Sequence, residues 1–279
     1  EALRPLKVRP EQVRLVMNDT AITPVTGPAS GSKSHYMVGR ATQDAAAKLM
    51  DAMRKPDGTY RTYSEMAAEG IPTKYLGVHT ITETINIDYD TGIGRPNPEA
   101  NYLLVLAEVE VDTATGKTRV LSVKNVSDIG VIGNQLAVEG QAYGGMSHCI
   151  GFALSEDYSA VDQADFKKHA SLLGCGIPEI GDIPDDAAFI FHITPRERGP
   201  YGSSGCSEGY QSVTHMAVIN GIQDAVGVRI YELPATPARV KAALAAKAAG
   251  RELKPEPYFF GSTFEEMNQY ILDHPVSGS

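Results

Sequence analysis

The most constraining stretch of the sequence is a pair of apolar segments joined by a short polar loop. YLLVLAEVEV occupies residues 102–111 and TRVLSVKNV occupies residues 118–126. DTATGK lies between them, and its Gly116 supplies the positive φ angle that a tight turn between strands requires. Two such runs on either side of a glycine-containing turn predict a β-hairpin. The fold must therefore accommodate at least one antiparallel pair of strands.

Helical periodicity is as frequent along the chain as strand alternation. Helices are predicted over 38–53, within 59–77, within 128–157, over 212–226, and from the cap pair Thr236–Pro237 to Ala249. Further strands are predicted over 12–18, 80–90, 188–193 and 228–233, and a long loop over 19–35. Because strands and helices alternate without a regular βαβ repeat or a clear linker, the sequence predicts an α+β fold. We expect a single region, 1–279, whose end at 250–279 is a weakly patterned tail.

Composition narrows the classes of partner and the compartment. The 279 residues are 42% hydrophobic, which is enough for one large domain or two modest ones. A net charge of -9 argues against DNA or an anionic membrane surface as the partner. The sequence contains no run of eighteen or more apolar residues that would predict a membrane-spanning helix. Its first residues, EALRPLKVRP, contain no signal-peptide core.

The three cysteines form no CxxC pair, so the sequence predicts neither an iron–sulfur cluster nor a zinc site in this chain. Metal ligands are therefore not expected among its side chains. A sparse and odd cysteine count fits a reducing compartment better than a disulfide scaffold. We expect a cytoplasmic location, with the periplasm left open.

The stretch GPASGSKSH, which begins at Gly27, looks like a phosphate-binding loop that leads into a helix. It does not match the P-loop pattern GxxxxGK[ST], since three residues separate Gly27 from Gly31 and Ser32 intervenes before Lys33. Free N–H groups and the positive dipole end at the helix start still favour an anion. Ser32 and Ser34 add hydroxyl donors. A plain polar loop and an anion-binding loop both fit these residues.

Gln141 lies in VEGQAYGG, within a predicted helix that is unusually rich in glycine. Each glycine costs roughly 1 kcal/mol relative to alanine in a helix interior. Such a helix indicates either tight packing or the close approach of its backbone to a ligand. Gln141 can offer two donors and one acceptor to that ligand, or it can cap and pack locally. The glycines in question are Gly140, Gly144, Gly145 and Gly151.

A single carboxylate, Glu208, lies in the glycine- and serine-rich stretch GPYGSSGCSEGYQS at 199–212. An acid near a helix start is common for dipole reasons alone. A catalytic acid at this position would need burial to keep its pKa near the working pH, and a proton to take. Because no His or Ser is spaced to form a triad with it, a metal-bound hydroxyl, whose pKa the ion lowers, is the natural source of that proton.

Three segments, in order, resemble the molybdenum hydroxylase (xanthine oxidase) family. VRLVMNDTAITPVTGPASGSKSHYMVGRA is similar to its DTxxTPxxGxxxGSR segment, and DIGVIGNQLAVEGQAYGGMSHCIGFALSED to its NPxxxEGQxxGGxxxGIGxALxE segment. The third, GPYGSSGCSEGYQS with the sequence that follows to LPATPARV, is similar to its G-x-S-G-V-G-E loop, AAxxNAI helix and R[IV]xxLPxxPExV tail. Within the family the chain looks most like the bacterial aldehyde oxidoreductases. The resemblance implies the C-terminal molybdenum-cofactor-binding domain of the aldehyde oxidase/xanthine dehydrogenase type.

The resemblance also implies roles for single residues. Gly31, Ser32, Lys33 and Ser34 would line a molybdopterin cytosine dinucleotide, mainly through backbone N–H and hydroxyl groups, with Gln141 bonded to its pterin–phosphate part. Glu208 would be the base beside the molybdenum. Ser207 replaces the glycine that usually precedes the acid, which adds a side chain near the metal. Cys206 is interpreted as a small packing residue, although a place beside the ligands also fits.

Half of the family's site has no counterpart in this sequence. The GGGFGxK segment, the substrate-facing region and the iron–sulfur cysteines are absent from it. The resemblance therefore implies partners: the rest of the molybdenum-binding subunit, a subunit or domain with [2Fe-2S] clusters, an optional FAD-bearing partner, and a higher oligomer. It implies oxidation of an aldehyde to a carboxylic acid with oxygen from water. Hydroxylation of an aromatic N-heterocycle, a non-catalytic structural role, and unrelated nucleotide-phosphate binding are the alternatives.

Overall fold

The computed structural model describes residues 1–17, 19–157, 171–172, 174–254 and 264–274. Three strands and seven α-helices occur within these ranges, which confirms the α+β class. The strands are β1 (Tyr102–Val111), β2 (Thr118–Asp128) and β3 (Asp186–His192). The helices are α1 (Ser34–Met53), α2 (Tyr63–Ala68), α3 (Gln135–Leu154), α4 (Ser207–Tyr210), α5 (Thr214–Val226), α6 (Pro237–Ala248) and α7 (Phe264–Asp273). None of these helices is both long and apolar enough to cross a bilayer.

The predicted hairpin is confirmed as β1 and β2, and β3 pairs with the other edge of β2 to give the order β1-β2-β3. The backbone N–H of Asp112 donates to the carbonyl of Lys117 at 2.9 Å, which closes the turn. Gly116 adopts φ +80° there, as the turn requires. It also lies so close to α6 that a Cβ at this position would come within 2.2 Å of the Pro237 carbonyl oxygen.

The predicted helix boundaries hold where the sequence carries a cap or a stop. At the start of α6 the Thr236 hydroxyl accepts a hydrogen bond from the Arg239 backbone N–H at 3.3 Å, with Pro237 in the first helical position. The chain leaves α1 after Met53 through the turn that contains Gly58, at φ +84°. The helix predicted within 128–157 is α3, which begins at Gln135 after β2 has ended at Asp128.

Three predicted strands are wrong. Residues 13–17 form no strand and leave Leu15 56% exposed, and residue 18 lies outside the described part. The 80–90 segment forms only an isolated bridge between Ile85 and Arg95. Residues 228–233 form no strand and bend at 232–233, yet Val228 and Ile230 are buried. The sequence pattern of these segments is therefore not sufficient for a strand. A strand also needs a neighbouring segment that pairs with its backbone hydrogen bonds.

The chain divides into two compact units. Unit 1 comprises Glu1–Leu104, Val126–Ala142 and Phe189–Tyr210, and unit 2 comprises Val105–Asn125, Tyr143–Ala188 and Gln211–Ser279. The core of unit 1 contains Ile129, Ala142, Cys206 and Tyr210. Buried residues of unit 2 include Met146, Ile150, Val218, Ile219, Ile222 and Val240. Every residue to which the sequence assigns a site role lies in unit 1.

Candidate functional site

The loop before α1 has an unusual backbone. Gly27 and Gly31 adopt φ +71° and +62°, and Ser32 follows at φ +53°. A left-handed conformation costs a non-glycine residue roughly 1–2 kcal/mol, and such strain concentrates at functional sites. A Cβ built at Gly27 or Gly31 would meet nothing within 4 Å, so this side of the backbone is open to a ligand. The loop leads directly into the N-terminus of a 20-residue helix, whose first N–H groups favour an anion.

Glu208 reaches this loop from α4. One carboxylate oxygen accepts a hydrogen bond from the Gly31 backbone N–H at 3.1 Å, and the other accepts one from the Ser32 hydroxyl at 3.3 Å. The Glu208 backbone N–H in turn donates to the Ser32 hydroxyl oxygen at 3.1 Å. Both carboxylate oxygens are therefore held, although Glu208 itself is exposed in this chain. Hydrogen bonds therefore join the loop before α1 to the stretch 199–212, which is called the Glu208 loop below.

The two loops also touch backbone to backbone. A Cβ at Gly205 would lie 1.8 Å from the Ser32 carbonyl oxygen, so only glycine permits this approach. Asn101 holds the same turn from the other side, because its amide donates to the Gly205 carbonyl and its oxygen accepts from the Ser204 hydroxyl. The glycines of the Glu208 loop thus serve its close contact with the loop before α1.

The first two turns of α1 continue the contact. Gly39 packs so tightly against Pro200 that a Cβ would come within 2.6 Å of the proline ring. The Arg40 Nε donates to the Arg198 carbonyl at 2.7 Å. His35 Nε2 lies 2.6 Å from the Ser203 hydroxyl oxygen. The Glu208 loop is therefore attached to α1 along the helix as well as at its start.

A buried cluster supports α4. The Tyr210 hydroxyl lies 2.9 Å from the Ser127 hydroxyl, and the Tyr210 ring meets Phe189 edge to face at 6.3 Å. Cys206 belongs to the same cluster at 8% exposure, and burial raises the pKa of its thiol. A neutral thiol among apolar residues supports the packing role over the ligand-neighbour role.

An ion pair closes the base of the Glu208 loop. Arg196 and Asp128 lie 3.0 Å apart with side chains only 8% and 13% exposed. The Arg196 guanidinium also donates to the carbonyl of Asp128 at 2.6 Å. The Asp128 carboxylate accepts from the backbone N–H groups of Gly130 and Thr194 at 3.1 and 3.3 Å. Although desolvation opposes ionisation of Asp128, these hydrogen bonds and Arg196 leave its pKa below the ordinary value.

The other predicted site residues also lie in unit 1, but they do not share the hydrogen bonds that join Gly31, Ser32 and Glu208. Lys33 is the cap of α1, Ser34 is its first residue, and Ser207 is the half-buried first residue of α4. Gln141 is exposed on α3, one residue before Ala142 of the core cluster that contains Cys206. The structure brings Gly31, Ser32 and Glu208 into direct contact, and the described hydrogen bonds do not include the Gln141 side chain.

The glycines of α3 separate into two kinds. A Cβ at Gly151 would lie 2.2 Å from a Glu156 carboxylate oxygen and 2.6 Å from Pro178, which is tight packing. Gly140 and Gly144 have nothing within 4 Å of such a Cβ, so packing within this chain does not require them. Tight packing within the described part of the chain therefore accounts for Gly151 and not for these two glycines.

Sequence reasoning missed three residues that hold the site together, namely His35, Asn101 and Ser203. Each contacts a segment far away in the chain, so no local spacing marks it. The only signal was adjacency, since His35 directly follows the GSKS stretch and Ser203 lies five residues before Glu208.

The donors in this site suit an anionic organic cofactor better than a directly bound metal. They are backbone N–H groups, hydroxyl groups and one helix N-terminus, beside open backbone at Gly27 and Gly31. Across the described ranges, no group of three or more His, Cys, Asp or Glu residues could hold a metal ion. The residues present therefore fit a phosphate-bearing group such as a pterin cofactor.

Comparison with known proteins places the chain in a family with this chemistry. The family model described as the molybdopterin cofactor-binding domain matches residues 2–184. The chain belongs to the molybdopterin cofactor-binding domain family. The matched range includes Gly31 to Ser34 and Gln141, while Glu208 lies beyond it.

Individual relatives show which members of the family the chain is similar to. The chain is 44% identical to the aldehyde oxidoreductase of Megalodesulfovibrio gigas, over 88% of this chain and 27% of that protein. It is 32% identical to a putative xanthine dehydrogenase molybdenum-binding subunit of Escherichia coli, over 52% of this chain and 19% of that protein. The crystal structure of the aldehyde oxidoreductase from Desulfovibrio desulfuricans matches with a TM-score of 0.81 at 46% identity, over 87% of this chain and 26% of that one. The fold is that of the corresponding region of aldehyde oxidoreductases, and the chain spans about a quarter of their length.

Proposed function

We propose that this chain forms part of a molybdenum hydroxylase, in which Glu208 is the base. The observation that carries the proposal is the pair of hydrogen bonds that fix the Glu208 carboxylate to Gly31 and Ser32. This contact joins the only acid of its loop to the loop whose donors fit the cofactor. A carboxylate held through both oxygens is preorganised to take a proton at a defined place.

The cofactor would be molybdopterin in its cytosine dinucleotide form. Gly31, Ser32, Lys33 and Ser34 would hold it through N–H and hydroxyl donors at the start of α1, and Gln141 and Ser207 would add side-chain contacts. When bound, the molybdenum centre supplies the two-electron oxidation. The single region predicted for 1–279 corresponds in this proposal to the C-terminal part of a larger molybdenum-binding subunit.

The residues of the site have separate roles in this proposal. Glu208 accepts the proton from the attacking oxygen nucleophile, which derives from water, and later releases it to solvent. Gly31 and Ser32 keep the carboxylate oriented for that transfer. The exposed side of Glu208 in this chain would be covered by the remainder of the enzyme, because a base acts best where water is excluded.

The substrate we propose is an aldehyde, which would become a carboxylic acid. The support is the higher identity, 44%, to a protein named for aldehyde oxidation, compared with 32% to a xanthine dehydrogenase subunit. An aromatic N-heterocycle is the second candidate, supported by 38% identity over 136 residues to the large subunit of a nicotine 6-hydroxylase. A purely structural role is less well supported, since it gives no reason for the orientation of Glu208.

The partners would be the rest of the molybdenum-binding subunit and a [2Fe-2S] subunit or domain, with FAD on a further partner as an option. Partner subunits are supported by a relative that is the gamma subunit of a dehydrogenase complex. A higher oligomer in the cytoplasm completes the proposal.

The test is Glu208→Gln in the purified holoenzyme, assayed with aldehydes and with N-heterocycles. Glutamine keeps the shape of the side chain and a carbonyl oxygen for the Gly31 N–H, but it cannot take the proton. Turnover should fall by about 10²–10⁴ while the molybdenum content stays unchanged, as for the loss of a general base. Glu232→Gln, at an exposed position of unit 2, is the matched control and should leave turnover unchanged. Near-normal turnover of Glu208→Gln would reject the proposal.

A further inference from the structure

His35 connects three segments of unit 1. It lies in the first turn of α1, next to the loop that contains Gly31 and Ser32. Its Nε2 is 2.6 Å from the Ser203 hydroxyl of the Glu208 loop. Its Cε1 is the nearest atom, at 3.9 Å, to a Cβ built at Gly133, two residues before the start of α3. The His35 ring therefore contacts the Glu208 loop and lies beside the backbone at Gly133.

The direction of the His35 hydrogen bond follows from its neighbours. The Ser203 hydroxyl lies 2.6 Å from the Pro200 carbonyl oxygen, which can only accept. Since a serine hydroxyl has one hydrogen, that hydrogen points to Pro200, and the oxygen must accept from His35. His35 is therefore protonated at Nε2 and acts as the donor.

This direction excludes a Ser–His hydrolytic pair. A nucleophilic serine would have to give its proton to the imidazole, but Ser203 gives its proton to the Pro200 carbonyl. Ser203 is also only 5% exposed, so a substrate could not reach its oxygen. The contact serves structure around the site and no separate reaction.

Ser203 is a rigid anchor. Its backbone N–H donates to the Pro200 carbonyl at 3.1 Å, and it forms a backbone bridge with Gly130. Gly199 approaches so closely that a Cβ there would lie 1.8 Å from the Ser203 carbonyl oxygen. A donor on α1 that binds Ser203 thus fixes the start of α1 relative to a buried point in the Glu208 loop.

We propose that His35 is a positioning residue that sets the placement of Glu208 relative to the Gly31–Ser34 loop. The inference rests on the proposed function for its effect on turnover, but its geometric part stands independently. His35 acts through Ser203, and Ser32 then carries the fixed placement to the Glu208 backbone N–H and carboxylate. Without the His35 bond the two loops would still meet, but their separation would vary.

Two amide variants give a matched test in the purified holoenzyme. His35→Gln places an N–H₂ donor close to the position of the imidazole Nε2, whereas the shorter side chain in His35→Asn reaches only to the Nδ1 position. Hydrogen–deuterium exchange of the peptide that covers 203–209 is the first readout. We expect about tenfold faster exchange in His35→Asn, the effect of losing one hydrogen bond, and wild-type exchange in His35→Gln.

The second readout separates positioning from general stability. In the Glu208 enzyme, His35→Asn should lower kcat by roughly tenfold with KM unchanged, and His35→Gln should restore it. In the Glu208→Gln background the same His35→Asn change should alter the remaining kcat by less than about twofold, because there is no base left to position. Molybdenum content is measured for each variant.

Equal exchange in His35→Asn and the wild type would overturn the inference, as would equal loss in the Asn and Gln variants. An identical kcat loss with and without the Glu208 carboxylate would show a merely structural role. Normal turnover of Glu208→Gln alone would reject the proposed base instead, and the exchange comparison would still decide whether His35 fixes the loop.

Discussion

The Glu208 carboxylate accepts a hydrogen bond from the Gly31 backbone N–H at 3.1 Å, although 177 positions separate the two residues. Gly31 precedes the long helix α1, and Glu208 lies in the short helix α4. Their contact brings the two glycine-rich stretches of the sequence together. The composition of both stretches follows from this one relationship, since a backbone must come close to another backbone and to a ligand at the same place.

Gly205→Ala should separate the two loops. The added Cβ would lie 1.8 Å from the Ser32 carbonyl oxygen, and neither backbone can yield without moving the Glu208 loop. We expect a loss of unfolding free energy at or above the upper end of the roughly 1–3 kcal/mol typical of overpacking. Thermal unfolding and molybdenum content of the holoenzyme measure the effect, and both should fall.

Gly144→Ala is the control for that substitution. Gly144 lies within α3 and has open space around a built Cβ, so alanine should stabilise the helix by up to about 1 kcal/mol. If stability rises while molybdenum content falls, the glycine serves a bound cofactor. Similar losses of stability at Gly205 and Gly144 would contradict the steric account.

Arg196→Met should destabilise unit 1 strongly. The pair with Asp128 is only 8% and 13% exposed, so removal of the guanidinium leaves a largely buried carboxylate without its counter-charge. Breaking such a pair costs about 3–5 kcal/mol. Urea unfolding monitored by circular dichroism measures the change.

The matched control is Arg119→Met, which breaks the pair with Glu110 at 66% and 61% exposure. Exposed pairs contribute about 0–1 kcal/mol, so this variant should unfold almost as the wild type does. Equal costs at both positions would show that burial is not the determining factor.

Glu65 should make stability depend on acid pH. Its hydrogen bond to Lys55 at 2.7 Å, followed by bonds to Thr62, lowers the pKa from 4.5 to about 2. Because the folded pKa is depressed, the stabilisation is complete above the unfolded value of 4.5 and is lost as the pH falls toward 2. The difference in unfolding free energy between wild type and Glu65→Gln should therefore shrink as the pH falls from above 4.5 toward 2.

Lys55→Met provides the comparison for Glu65, since Lys55 is the largest cause of the shift. The unfolding free energy of Lys55→Met should therefore depend on pH almost as weakly as that of Glu65→Gln. A wild-type pH profile in Lys55→Met would assign the effect to the helix cap at Thr62 instead. Urea titrations at several pH values decide between the two.

Local signals in the sequence were sufficient for much of the fold. The β1–β2 hairpin and the start of α6 depend on a turn glycine and a cap threonine, whose effects extend over a few residues. The strand predicted over 12–18, of which residues 13–17 form none, shows the limit of this reasoning. Its alternation was real, but a strand exists only if another segment supplies hydrogen-bond partners, and that depends on distant parts of the chain.

The candidate site, like the fold, could be predicted from the sequence only in part. The loop before α1 and the acid at 208 stand out in the sequence by composition, and the resemblance to a family assigned them roles. The contacts between them depend on His35, Asn101 and Ser203, which have no distinctive local pattern. Their importance follows from tertiary hydrogen bonds alone, so the structure was needed to find them.

The long separation between Gly31 and Glu208 also dictates the order of events during biosynthesis. Helices such as α1 close local contacts quickly, whereas a contact that spans most of the chain forms late, because its loop-closure entropy must first be offset. On a ribosome, the loop before α1 and the Glu208 loop cannot meet until residue 208 has emerged. The contact between the two loops is consequently one of the later events in the folding of unit 1.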